Sequence, residues 1–139
     1  MKNRTTSSQS VHDRVIRAVA AAQTEYNAHC NPGQEHNVSV TIAGQAVYPD
    51  LVFCRRGTMT VALLVEVETA ESVTDTEAAQ WAQYAQGPGQ FWLLVPHDRL
   101  IAVQAICRRE GIAARLGQWW WTEDRQIAFE WLQAAVASR

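Results

Sequence analysis

Residues 46–54, Ala46-Val47-Tyr48-Pro49-Asp50-Leu51-Val52-Phe53-Cys54, and residues 61–68, Val61-Ala62-Leu63-Leu64-Val65-Glu66-Val67-Glu68, decide the fold. Both are short apolar runs rich in Val and Leu, the pattern of strands buried on both faces. The first carries one carboxylate, Asp50, beside a proline. The second ends on two, Glu66 and Glu68, at alternate positions. Alternation puts Glu66 and Glu68 on the same face of the strand as Leu64, with Val65 and Val67 on the other. A buried carboxylate is costly unless it is paired or holds a metal, so three on one sheet point to a cation site. If the two runs form a hairpin, Asp50 and Glu66 lie side by side across it.

Working outward, Val11, Val15, Ala18, Val19, Ala22 and Tyr26 recur at helical spacing. They predict a helix from Val11 to about His29 with Ser10 as its N-cap, ended by Asn31-Pro32-Gly33. Val38-Ser39-Val40-Thr41-Ile42 alternates as a half-exposed strand. The run from Ala46 to Cys54 is a second strand, and Met59 to Glu68 is a third and central one. Thr74 or Asp75 opens a helix that Gly87-Pro88-Gly89 stops. Phe91 to Val95 is a fourth strand, reached by a helical crossover and so parallel to a neighbour. A helix from Leu100 to Glu110 follows, closed by Gly111. Gln118 to Trp121 reads as a fifth strand, and the Ala content of residues 127–136 favours a last helix. The fold class is α/β, a mixed sheet flanked by helices.

With 139 residues, 47% of them hydrophobic, the chain fits one domain with its own core. Residues 1–10, polar and rich in Ser and Thr, predict a flexible tail, leaving residues 11–139 as a single domain. No apolar stretch is long enough to span a bilayer or to act as a secretion signal. Cys30, Cys54 and Cys107 form no paired pattern, which disfavours a disulfide framework and fits a reduced, cytoplasmic setting. His29, Cys30 and His36 lack the spacing of a zinc site. A formal net charge of −2 is not that of a protein that coats nucleic acid by charge alone; bound cations would restore positive charge locally. There is no GxGxxG, phosphate-binding loop or nucleophile elbow, so a small-molecule enzyme has little support.

The chemistry therefore rests on the acids. Two carboxylates plus a backbone carbonyl make a hard oxygen site suited to Mg²⁺ or Mn²⁺, with the remaining positions left to water and phosphate. Such a cation lowers the pKa of a bound water and neutralises charge on a phosphodiester, and Glu68 is near enough to add a ligand or accept a proton.

Pro49-Asp50 on the second strand and Glu66-Val67-Glu68 on the third, within the order helix, three strands, helix, strand, resemble the PD-(D/E)XK nuclease superfamily. The likeness covers roughly residues 11–96. It implies a restriction-endonuclease-like core, order αβββαβ plus C-terminal elements. It also implies Mg²⁺ or Mn²⁺ held by Asp50, Glu66 and the Val67 carbonyl, with Asp50, Glu66 and Glu68 catalytic, and nucleic acid, first of all DNA, as substrate. Gln80 and Tyr84, four apart on one helical face, are similar to a substrate-positioning pair in RecB-like members. An acidic residue on the first helix completes the site in some members, which points to Glu25. The departure is Glu68 where the family motif has Lys. Some restriction endonucleases with this fold carry Glu there and are active; others recruit a lysine from elsewhere. Lys2, the only lysine in this chain, falls in the expected tail. The alternative function is a catalytically inactive nuclease-like domain that binds protein or nucleic acid. Finally, Trp119-Trp120-Trp121 on a strand would expose aromatic surface on one side, the mark of an interface and the basis for expecting a homodimer.

Overall fold

The computed structural model describes residues 4–136, and side chains as far as residue 132. A helix α1 (Thr6–Ala22) opens it, followed by strands β1 (Tyr26–Cys30), β2 (Val40–Ile42), β3 (Gln45–Val47), β4 (Leu51–Arg55) and β5 (Val61–Val67). Then come helix α2 (Ala78–Ala85), strand β6 (Gln90–Pro96), helix α3 (Leu100–Glu110), and strands β7 (Ala114–Trp121) and β8 (Ile127–Val136). Six strands make one sheet in the order β1-β4-β5-β6-β7-β8, and β2 and β3 form a separate two-stranded hairpin. The β5–β6 and β6–β7 pairs are parallel and the rest of the main sheet is antiparallel. The fold is thus a mixed sheet flanked by helices. No helix of the described residues is long and apolar enough to cross a membrane.

Alternation sorts the core into two layers. Leu51, Phe53, Leu63, Val65, Val67, Trp92, Leu94 and Trp119 face Val15, Ile16 and Val19 of α1. Val52, Leu64, Leu93 and Val95 face the other way, against Trp81 and Tyr84 of α2 and Val103 and Ile106 of α3. β5 and β6 lie at the centre, and their continuous apolar runs are those of strands covered on both faces. Gly89 makes the tight entry to β6: its φ is +73°, and a Cβ there would lie 2.4 Å from the Ala62 carbonyl oxygen.

Four elements differ from the sequence expectation. Residues 6–10 belong to α1. Thr5, not Ser10, caps α1, its hydroxyl accepting from the Ser8 N–H at 3.2 Å. Lys2 lies outside the described residues. The first helix ends at Ala22, and Tyr26–Cys30 leaves it to pair with β4, Tyr26 packing on Phe53 at 5.9 Å. The run 46–54 is broken at Tyr48-Pro49-Asp50, because proline has no N–H to continue a ladder; β3 ends before it and β4 begins after it. The last segment is strand, not helix. Ile127, Phe129 and Trp131 alternate, and all three pack on the layer beneath α1, so a period of two overrides the helical propensity of alanine.

Candidate functional site

The break at Pro49 sets Asp50 at the mouth of β4, and the antiparallel register Leu51↔Val65 brings it opposite Glu66. The two are cross-linked through the main chain. The Asp50 N–H donates to Glu66 Oε1 at 2.8 Å, and the Val67 N–H donates to Asp50 Oδ2 at 2.8 Å. Glu66 is only 2% exposed. Asp50 and Glu66 line a cleft of about 260 Å³ between the α1 N-terminus, the β1–β2 loop and α2. Gln80 and Tyr84 line it too, so the structure brings four of the sequence candidates to one cavity. The Gln80 Nε2 donates to the Tyr84 hydroxyl at 3.3 Å. Its Oε1 is buried and has no hydrogen-bond partner among the described residues.

Glu68 does not join them in the cleft. It lies just past β5 and is fully buried. Its Oε1 accepts from the Ser72 hydroxyl at 2.6 Å and its Oε2 from the Trp81 indole N–H at 2.7 Å. Arg4 Nη2 is 3.6 Å from Oε1. A carboxylate so committed anchors a loop and a helix; it is poorly placed to ligate a cation or take a proton from water. Glu25 is also elsewhere. It occupies an exposed turn before β1, next to Tyr26, which pairs with Arg55 at the far end of β4 from Asp50.

Two residues that the sequence reading missed complete the site. His12 on α1, 1% exposed, sets Nε2 3.0 Å from Asp50 Oδ2 and Nδ1 3.1 Å from Asp13 Oδ1. Burial, the largest influence, pulls the imidazole pKa down. The charge and hydrogen bond of Asp50, with help from Asp13 and against Arg4, more than offset it, so the pKa is raised overall. The signal for His12 was its position on α1, one turn before Ile16 on the helix's buried side. Arg4 is the second. Its side chain is 6% exposed, its guanidinium donates to the Val67 carbonyl at 3.3 Å, and it lines the same cleft. It was hidden by the polar composition of the segment that carries it.

The tryptophan run divides. Trp119 is buried and donates through its indole N–H to the Glu68 carbonyl at 3.0 Å. Trp120 is half-buried, and Trp121, 41% exposed, lies beneath the Arg14 guanidinium at 4.9 Å. The aromatic surface open to a second copy is therefore smaller than three adjacent tryptophans suggest. Cys30, Cys54 and Cys107 are all free thiols.

Among the described residues, no three His, Cys, Asp or Glu side chains gather as a metal-holding group. The paired carboxylates Asp50 and Glu66 line the cleft, and the Val67 carbonyl is a further oxygen that accepts from Arg4, itself a cleft residue; all three are hard oxygen donors. Such a set fits a cation that keeps several waters or takes substrate phosphate, as Mg²⁺ does. Compared with known proteins, the chain matches no family model, no curated protein and no solved structure.

Proposed function

We propose that this chain is a Mg²⁺- or Mn²⁺-dependent phosphodiesterase acting on nucleic acid, DNA first among them, of the PD-(D/E)XK, restriction-endonuclease-like type. The observation that carries the reading is the pairing of Asp50 with Glu66 at adjacent strand ends, in a cleft shared with Gln80 and Tyr84. Element order supports it as well. With the β2–β3 hairpin set aside, the chain runs α1-β1-β4-β5-α2-β6, with three antiparallel strands and then a parallel one.

Asp50 and Glu66 would hold the cation, with the Val67 carbonyl, which also accepts from Arg4, as the third oxygen. The bound cation supplies neutralisation of phosphate charge and a more acidic water. His12 orients Asp50 from α1. Arg4 brings a permanent positive charge to the cleft, where it meets the negative charge that develops on phosphorus-bound oxygens. Gln80 and Tyr84 orient substrate from α2. Glu68 acts at one remove, holding Arg4 and α2 in place. A proton acceptor is not among its roles, so deprotonation falls to solvent or to the substrate's own phosphate.

The commitment of Glu68 also favours a second reading, a nuclease-like domain that binds without cleaving. Calorimetric titration of Mn²⁺ into wild type and Glu66→Ala separates the two. Saturable binding lost in the variant supports the metal-dependent enzyme. Absent or unchanged binding, repeated with a short oligonucleotide present to supply phosphate, leaves the binding domain.

A further inference from the structure

The rim of the cleft carries a ring pair that the proposed chemistry does not use. The rings of His36 and Tyr48 stack with centroids 3.9 Å apart and planes 9° from parallel. Both line the cleft that holds Asp50 and Glu66. His36 is exposed and Tyr48 is 37% exposed, so the pair presents aromatic surface to solvent.

The stack is held from beneath. Asn31, 4% exposed, accepts on its Oδ1 from the N–H groups of Asn37 and Val38, at 2.7 and 2.9 Å. Its Nδ2 donates to the carbonyls of Val38 and Pro49, at 2.8 and 2.7 Å. One buried amide thus ties the loop bearing His36 to the segment bearing Tyr48. A surface held this way loses little entropy when a flat ligand stacks on it. Gln80, whose Nε2 donates to the Tyr84 hydroxyl, lines the same cleft.

We propose that the His36–Tyr48 pair is a base-stacking subsite and that the cleft takes an unpaired nucleotide, its base on the rings and its phosphate toward Asp50 and Glu66. The substrate class is then nucleic acid with unpaired bases: a single strand or a frayed end. A base inside a duplex has both faces covered and cannot stack on a rim. Charge argues the same way. Duplex binding draws on many phosphate contacts to cations, whereas this chain has a net charge of −2 and, among the described residues, the cleft is lined by Asp50, Glu66, Glu35 and Arg4. Stacking on aromatic rings is sequence-tolerant, because every base has a π-face, and it adds to the fewer phosphate contacts that a short single strand makes. The inference rests on the reading of this cleft as a nucleic-acid site.

The test is fluorescence titration of a 2-aminopurine-labelled single-stranded oligonucleotide with the full chain in Mg²⁺ buffer, beside the same sequence in a blunt duplex. Saturable quenching is expected for the single strand, with binding at least about tenfold tighter than for the duplex. Tyr48→Ala and His36→Ala each weaken it by about tenfold, the scale of one lost stacking contact; Tyr48→Phe keeps it. Absence of quenching, equal affinity for the duplex, or quenching unchanged in a folded Tyr48→Ala overturns the subsite. The metal reading fails separately. Quenching that survives while Mn²⁺ binding is absent removes the proposed cation chemistry and leaves the stacking site; Mn²⁺ binding without quenching does the reverse.

Discussion

Asp50 and Glu66 hold each other through the backbone: the Asp50 N–H lies 2.8 Å from Glu66 Oε1, and the next residue along β5 returns its N–H to Asp50 Oδ2 at the same distance. Each carboxylate is therefore an acceptor for the main chain as well as a candidate ligand. The bonds fix both side chains at the strand ends before any cation arrives, and preorganised donors of this kind lose little when a metal binds.

That double duty shapes the first prediction. Glu66→Gln keeps a carbonyl oxygen for the Asp50 N–H while removing the charge and turning the other oxygen into an NH2 donor. The variant is expected to unfold within a few tenths to about 1 kcal/mol of wild type in urea. Its Mn²⁺ affinity falls by at least about tenfold in calorimetry. Wild-type Mn²⁺ affinity in a folded Glu66→Gln would remove Glu66 from the site.

Glu68 gives the opposite pattern. Glu68→Ala removes the acceptor of the buried Trp81 indole N–H, one acceptor of the Ser72 hydroxyl, and the counter-charge beside Arg4. Breaking a buried charged network costs about 3–5 kcal/mol, read as an earlier urea midpoint. Glu68→Gln costs less, about 1–3 kcal/mol, since one oxygen remains to accept. Were Glu68 a proton acceptor, the variants would instead hold their stability and lose turnover.

The contrast between these two acids explains what the sequence could and could not reveal. Strand pairing makes Asp50 and Glu66 neighbours, and pairing is written in two apolar runs and the tight connection between them. Alternation also predicts Glu68 on the Glu66 face. What Glu68 touches there depends on Trp81, on Ser72 and on Arg4, a convergence that no local pattern encodes. His12 is similar: helical spacing shows that it shares the buried side of α1, but not that Asp50 lies beneath it. The β8 strand was misread because alanine content was weighed above the alternation of Ile127, Phe129 and Trp131. β1 was lost because Tyr26 continues the helical spacing of α1 while pairing with β4. The Asn31 tie between two loops has no sequence signature at all.

Burial of Cys107 yields a pH prediction. Desolvation raises its thiol above the ordinary 9.0 to about 11. The native state then keeps a proton that the unfolded chain releases, so this contribution to stability is whole below about pH 9 and is lost as pH rises through about 11. Two units at 1.36 kcal/mol each bound the loss at about 3 kcal/mol. Urea unfolding at a series of pH values from 8 to about 11 should fall more steeply for wild type than for Cys107→Ala. Parallel slopes would show that this thiol does not couple to folding.

Arg4 decides between two roles that the geometry brings together. Its guanidinium rests on the Val67 carbonyl and beside Glu68, within the cleft that Asp50 and Glu66 line. As a phosphate-facing charge it lowers the barrier to cleavage, and its loss should reduce single-turnover rates on a single-stranded oligonucleotide by about 10²-fold, the scale for a removed charge-stabilising donor. As a stand-in for the cation it competes with Mn²⁺, and its loss should raise both metal affinity and rate. The reading favoured here predicts that Arg4→Ala lowers the rate while Mn²⁺ affinity holds or rises modestly, because a nearby positive charge has gone. Arg4→Lys should recover only part of the rate, since an ammonium cannot span the Val67 carbonyl, Thr69 and Glu68 as the planar guanidinium does. A faster Arg4→Ala enzyme would recast the N-terminal segment as an inhibitor of the site it enters.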